Sequence, residues 1–273
     1  MKRIVVLAGL IFCTACGDSG SAPQAPSSDG ADAVASAPAL AMESAAPEPT
    51  PAGRREKVST ALYEFEYAYP AAAGAIPGLK AALDQRLDTA RRELEQASKA
   101  DEAEAKKNGF PYRPHSFGAN WKVVTDLPGW LSLSADSYEY TGGAHGMSFF
   151  DSVLWDRRAN AVRVPLDLFT SKGALSAAIR EPFCAALDKE REKRRGRPVN
   201  RAGGDSFDEC IDPVESTVIL GSSNGRTFDR LGVLVGPYAA GPYAEGTFEI
   251  TLPVTAAVLE AVKPAYRADF TAR

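Results

Sequence analysis

The composition of the chain changes at residue 53, and this change limits what the chain can fold into. Between Gly17 and Gly53 the sequence consists mostly of Ala, Pro, Ser, Gly and Asp, with almost no large apolar side chains. Such a segment cannot bury enough surface to offset the entropy lost on ordering, so we expect residues 16–53 to be a disordered tether. The folded part must come from residues 54–273, which suffice for one sizeable domain or two small packed lobes.

The residues before the tether predict export and a lipid anchor. Two basic residues follow Met1, and residues 4–12 are an apolar run that is too short to span a bilayer. The sequence Cys-Thr-Ala-Cys-Gly that ends this region resembles the lipobox of bacterial lipoproteins. The resemblance implies a signal peptide over residues 1–15, acylation of Cys16, and a place on the outer membrane facing the periplasm, because Gly17 follows the cysteine. A plain secretory signal is the alternative.

The net charge of the chain limits which partners it can bind. The sequence has 35 acidic and 31 basic residues without a dominant basic face, which argues against nucleic acid as a partner. One basic run, residues 189–197, could contact anionic polymers or lipid head groups. Because Glu190 and Glu192 interrupt it, we expect a solvated end of a helix instead.

Two of the four cysteines, Cys184 and Cys210, lie in the part expected to fold. In an exported protein such a pair most simply forms one disulfide. Two free buried thiols are the alternative.

Alternation of apolar and polar residues predicts most of the strands. The clearest case is the stretch up to Pro70, where Tyr63, Phe65, Tyr67 and Tyr69 share one face. Asn224-Gly225 indicates a hairpin between two of the later strands. The predicted strands are residues 61–69, 121–125, 130–140, 147–155, 162–164, 216–220, 227–235 and 248–252.

Apolar residues at three- and four-residue steps predict two long helices. The first opens at Pro77 and ends near Asn108-Gly109. The second carries Leu175, Ile179, Phe183 and Leu187 at four-residue steps. Pro182 should kink this second helix or start a new one. Because strands and helices come in separate runs, we predict an α+β fold with mostly antiparallel sheet.

The stretch Tyr-Thr-Gly-Gly-Ala-His-Gly at residues 140–146 lies between two predicted strands and raises the question of catalysis. A histidine base needs a nucleophile or water and an orienting group, and His145 has no nucleophile-elbow pattern near it. The second histidine, His115, is not at a metal-ligand spacing from it. We therefore interpret the stretch as a glycine-shaped turn, with catalysis or metal binding as the weaker alternatives.

A second loop, residues 236–246, is rich in Gly, Pro and Tyr. Its tyrosines could present aromatic faces to a sugar or a protein groove, or they could plug the end of a sheet. The two readings are equally open. The candidate binding residues from both loops are Tyr140, Gly142, Gly143, His145, Tyr238 and Tyr243.

Four motifs together resemble one family of envelope proteins. They are residues 140–146, Val-Pro-Leu-Asp-Leu-Phe at 164–169, Pro-Tyr-Ala-Ala-Gly at 237–241, and Phe-Glu-Ile-Thr-Leu-Pro at 248–253. The chain resembles the paired domains of unknown function 4163 and 3298 of the RsiV-like family. The resemblance implies two packed lobes with helices on one face: a 4163-like lobe at residues 54–170 and a 3298-like lobe at 171–273.

The resemblance also implies a role in recognition. It brings no catalytic residue, metal or cofactor to this chain. We therefore predict a non-enzymatic lipoprotein of the cell envelope, held to the membrane by its lipid, that binds peptidoglycan or a lysozyme-like protein. Two alternatives are an envelope hydrolase that uses His145 and a structural or assembly lipoprotein without a small ligand.

Overall fold

A computed structural model describes residues 52–273, so the predicted signal peptide, the lipidation site Cys16 and almost all of the tether lie outside the described residues. Residues 54–163 form a six-stranded sheet in which each strand lies beside its neighbours in sequence order. Only the pairing of β2 with β3 is parallel, because the first long helix crosses between them. The strands are β1 (Arg54–Ser59), β2 (Tyr63–Tyr69), β3 (His115–Asp126), β4 (Trp130–Tyr140), β5 (Met147–Asp156) and β6 (Ala161–Arg163).

One face of this sheet is covered by helix α2 (Pro77–Asn108), which follows a single turn of helix, α1 (Ala71–Gly74). Proline is tolerated at the first position of α2 because a backbone N–H there would have no acceptor within the helix. Gly109 ends the helix in the left-handed conformation, with φ of 73°. The apolar stripe of α2 packs against the aromatic face of β2 and against Leu131 and Leu133 of β4.

A second, three-stranded antiparallel sheet consists of β7 (Thr217–Gly221), β8 (Arg230–Val235) and β9 (Phe248–Pro253). Helix α3 (Lys172–Arg195) and the short helix α4 (Ala256–Ala261) pack on it. Alternate residues of β7 and β9 are buried, as expected for strands with one apolar face. The central strand β8 is buried from Leu231 to Val235. None of the helices within residues 52–273 is long and apolar enough to cross a membrane.

The second sheet meets the first on the side away from α2. Trp130 of β4 and Leu154 of β5 point to that side and join the core under α3. At the rim of this contact the Thr217 hydroxyl donates a hydrogen bond of 3.0 Å to the carbonyl of Phe150. The far end of the same sheet face stays open, and this open end forms one wall of the candidate site.

The structure confirms the predicted α+β class and differs from the sequence prediction at three places. Strand β1 was not predicted, and β3 begins at His115 rather than at residue 121. Helix α3 runs without interruption through Pro182, which is exposed, so solvent can satisfy the backbone group that proline leaves without a partner. The division into lobes at residues 170 and 171 stays a prediction.

Candidate functional site

The stretch at residues 140–146 forms a tight turn between β4 and β5. Gly142 has φ of 86°, a conformation that side chains rarely adopt. Gly146 is buried, and a methyl group there would lie 2.2 Å from the ring of Tyr138. The hydroxyl of Tyr140 donates a hydrogen bond of 3.0 Å to the carbonyl of Gly143. Tyr140, Gly142 and Gly143 therefore shape the turn.

The turn presents His145 to the second loop. The imidazole stacks on the ring of Tyr243, with centroids 3.9 Å apart and planes 23° apart. Its Nε2 lies 3.3 Å from the hydroxyl of Tyr238, and its Nδ1 lies 2.9 Å from the carbonyl oxygen of Gly146. The structure thus brings together His145, Tyr238 and Tyr243, which we call the aromatic stack.

The second loop, residues 236–246, holds its tyrosines in an unusual backbone. Tyr238 has φ of 66° and is 47% exposed, and such strain in a non-glycine residue is most frequent at functional sites. Tyr243 opens a short 3-10 turn that ends at Gly246, whose φ of 69° and ψ of −144° suit glycine alone. Tyr238 is exposed, and Tyr243 is half-buried under His145.

An open groove of about 500 Å³ lies beside the aromatic stack on the uncovered face of the first sheet. We call it the sheet groove, and Tyr138 links it to the stack because Tyr138 lines the groove and also contacts the backbone of Gly146. Gly118 and Ala68 have no large side chain to fill its floor. The remaining side chains of its wall are mostly polar or charged: Glu66, Asn120, Asp136, Ser148, Thr247 and Glu249, with Phe149 and Phe150.

The groove has acidic walls that are partly neutralised. Arg55 and Lys57 pair with Glu66, and Lys122 pairs with Asp136. Glu249 is exposed on β9 at the opposite wall. Carboxylates accept hydrogen bonds and cannot donate them when ionised, so the groove is suited to a ligand that is rich in hydroxyl or amide donors.

The basic run at residues 189–197 is only partly the solvated helix end that its composition indicated. Arg191 is completely buried, and the side chain of Arg195 is 8% exposed. For these two residues the prediction is wrong, because their guanidinium groups bind backbone and carboxylate oxygens of two loops. Lys193 and Arg197 are exposed, as expected.

The two histidines have separate surroundings. His115 is buried, and its Nε2 lies 3.1 Å from the carboxylate of Asp101 at the end of α2. His145 contacts Gly146, Tyr238 and Tyr243 instead. Within residues 52–273, no group of three or more His, Cys, Asp or Glu side chains is placed to hold a metal ion.

The cysteine pair predicted from export forms a disulfide. Cys184 of α3 and Cys210 are bonded, with their Cα atoms 5.6 Å apart. The bond ties α3 to the segment before β7 and lies next to Glu209, whose carbonyl accepts a hydrogen bond of 2.9 Å from Arg191. The disulfide therefore ties the middle of α3 to the segment whose Glu209 carbonyl binds Arg191.

One part of the chain matches a known protein family. Residues 56–148, from β1 to the turn that carries His145, match the family described as Deacetylase PdaC. No match was found among curated proteins. The match ends before α3 and the second sheet, so it covers a minority of the chain.

Two solved structures are similar over most of their length. A member of the DUF3298 family from Bacteroides fragilis is 18% identical, with a TM-score of 0.49 over 80% of this chain and 96% of that chain. A DUF3298 family protein from Pseudomonas aeruginosa is 18% identical, with a TM-score of 0.45 over 83% of this chain and 99% of that chain. The 4163 and RsiV-like parts of the resemblance stay predictions.

Proposed function

We propose that this protein is a non-enzymatic lipoprotein of the cell envelope whose folded part binds the glycan strands of peptidoglycan. The aromatic stack and the sheet groove form the binding site. The observation that carries the proposal is the contact between His145 and Tyr243, which joins the two loops at an exposed edge of the groove.

The chemistry of this surface suits a sugar chain. The C–H faces of a pyranose ring pack on aromatic rings, and Tyr238 is a large, exposed ring with a polar tip. Carboxylates, amides and hydroxyls along the groove match the hydroxyl and acetamido groups of amino sugars. The groove volume of about 500 Å³ falls in the usual range for small-molecule sites, and its open form suits a polymer that passes through.

Binding is favoured over catalysis because both ring nitrogens of His145 are occupied. A general base needs a free nitrogen near a water or hydroxyl and a third group to orient it. Here one nitrogen lies against a backbone carbonyl and the other against the Tyr238 hydroxyl. No carboxylate of residues 52–273 pairs with the imidazole.

A hydrolase is the second candidate, and the family match favours it. The matched residues, 56–148, include His145, and that family is described as a deacetylase. On this reading the protein would release acetate from N-acetylated glycan, and the exchange His145→Ala would abolish the release. Acetate release by the parent that is lost in this variant would replace the binding proposal with this one.

A pelleting assay tests the binding proposal. The full chain is mixed at micromolar concentration with purified peptidoglycan sacculi, and the bound fraction is measured for the parent, Tyr238→Ala, Tyr243→Ala and the control Phe110→Ala. Phe110 is a 53% exposed aromatic residue outside both loops. We expect each tyrosine change to weaken binding about tenfold and the control to have no effect, since a stacked aromatic ring contributes roughly 0.5–1.5 kcal/mol beyond its buried area.

Two results would contradict the proposal. The first is a parent protein that does not sediment with sacculi. The second is a parent that binds lysozyme in solution through the same tyrosines but does not bind sacculi, which would assign the site to a lysozyme-like protein.

A further inference from the structure

The end of helix α3 holds the second loop through one buried ion pair. The Arg195 guanidinium binds both carboxylate oxygens of Glu245, with Nε 2.7 Å from Oε1 and Nη2 3.0 Å from Oε2. The side chains of Arg195 and Glu245 are 8% and 14% exposed. Glu245 ends the 3-10 turn that Tyr243 begins, so the ion pair fixes the turn that carries the stacked ring.

Other contacts from the same helix end hold the rest of the loop. Arg191 donates a hydrogen bond of 2.9 Å to the carbonyl of Ala240, and Arg195 reaches the same oxygen at 3.3 Å. Arg194 donates to the carbonyl of Glu245, and its guanidinium lies 3.9 Å above the ring of Phe248. Each of these arginines binds the loop on the side that faces α3.

The loop accommodates the ion pair closely. A methyl group on Gly241 would lie 2.3 Å from Oε2 of Glu245, so the carboxylate packs directly against the loop backbone. The Arg195 guanidinium also binds a second carboxylate, because its Nη1 lies 2.5 Å from Oδ1 of Asp208. Glu245 and Asp208 therefore both hold the guanidinium. If it turned away from Glu245, the buried Glu245 carboxylate would lose this ion pair.

We propose that Arg195 is a positioning residue, which through Glu245 holds Tyr243 against His145 and so keeps the ligand-binding surface assembled. The inference rests on the proposed function, because it assigns to Arg195 an effect on glycan affinity without contact to the glycan. Arg195 contacts the loop through Glu245, whereas His145 contacts it through the ring of Tyr243.

Imidazole proton resonances test the positioning directly. The chain has two histidines, so His145 and His115 can be resolved by NMR, and the ring current of Tyr243 acts on His145 alone. The variants are Glu245→Gln, which keeps the shape of the side chain, and Arg195→Met. Lys193→Met, an exposed change on the same helix, is the control.

We expect the His145 resonances to move downfield toward those of a histidine without a stacked ring in both variants, while those of buried His115 stay in place. A purely structural role would move both histidines or neither. Amide exchange in residues 236–248 should become at least about tenfold faster, because the loop loses a charge-assisted hydrogen bond. Unchanged His145 resonances in both variants would overturn the inference.

Measuring the affinity for sacculi distinguishes failure of this inference from failure of the proposed function. If the parent binds sacculi, Glu245→Gln should weaken binding about tenfold, and unchanged affinity with a displaced His145 would overturn the inference. If the parent does not bind sacculi, the proposed function fails, and with it the effect on affinity. The resonances then report separately whether Arg195 holds the stack.

Discussion

The imidazole of His145 stacks on the ring of Tyr243 at a centroid distance of 3.9 Å. This contact joins a turn of the six-stranded sheet to a loop between β8 and β9 of the second sheet. The proposed binding surface uses residues of both loops. Contacts that hold the two loops in place should therefore affect ligand binding.

Gly146 should be required for the turn, whereas Gly143 should not. A methyl group at Gly146 would overlap the Tyr138 ring at 2.2 Å and the Glu139 carbonyl oxygen at 2.6 Å. We expect Gly146→Ala to lower the free energy of unfolding by about 1–3 kcal/mol, measured by urea denaturation. Gly143 has open space around its Cα, so Gly143→Ala is the control. Equal effects of the two changes would contradict this reading of the turn.

The disulfide should stabilise the protein by restricting the unfolded chain. Cys184 and Cys210 are 26 residues apart, and a loop of this length is expected to contribute about 3.5 kcal/mol in the chain-entropy model. The double change Cys184→Ala and Cys210→Ala should lower the free energy of unfolding by about that amount. The parent in reducing agent should show a similar loss. Reaction of a thiol reagent with Cys184 and Cys210 in the native, unreduced parent would contradict the prediction.

Asp84 should make stability depend on acid pH. Burial would raise the pKa of its carboxyl, but hydrogen bonds from Lys80, Arg54 and Tyr69 outweigh burial and lower the pKa to about 2. A lowered carboxyl pKa stabilises the fold above its unfolded value near 4, and this stabilisation is lost as the pH falls from about 4 to about 2.

The exchange Asp84→Asn tests this assignment. At pH 7 we expect it to lower the free energy of unfolding by about 1 kcal/mol, a value reduced for the partial exposure of the group. The difference from the parent should shrink toward pH 2, because the parent carboxyl is then largely protonated. A difference that is constant with pH would show that Asp84 acts through packing rather than through its charge.

Cys16 should carry the lipid. We predict that the parent incorporates radiolabelled palmitate and fractionates with membranes in a bacterial host, and that Cys16→Ser does neither. The control Cys13→Ser should behave like the parent. A parent that is secreted in soluble form without label would leave the plain secretory signal as the explanation.

Local sequence patterns predicted the helices and strands that pack in the core. Strand β4 was predicted with its observed bounds because apolar and polar side chains alternate from Leu131 to Asp136. Helix α2 was predicted at both ends because proline opens it and a left-handed glycine closes it. Strand β1 was not predicted, since its sequence Arg-Arg-Glu-Lys-Val-Ser is charged and forms an edge strand whose residues are only partly buried.

The aromatic stack was only partly predictable. The sequence singled out His145, Tyr238 and Tyr243 separately, and only the packing of the second sheet on the first brings them together. The sheet groove depends on β2, β3 and β9 meeting, which no local pattern contains. One signal for the buried arginines was present: Arg191 and Arg195 continue the four-residue steps of the apolar stripe from Leu175 to Leu187. Because these two residues are charged, apolar periodicity alone does not predict that they are buried.

The most direct test of the binding account is an NMR titration of the full chain with soluble peptidoglycan glycan fragments. We predict that the imidazole resonances of His145 move in a saturable way as fragments are added. Those of His115, which is buried against Asp101, should stay fixed. Resonances of His145 that do not move at fragment concentrations up to the millimolar range would contradict the account.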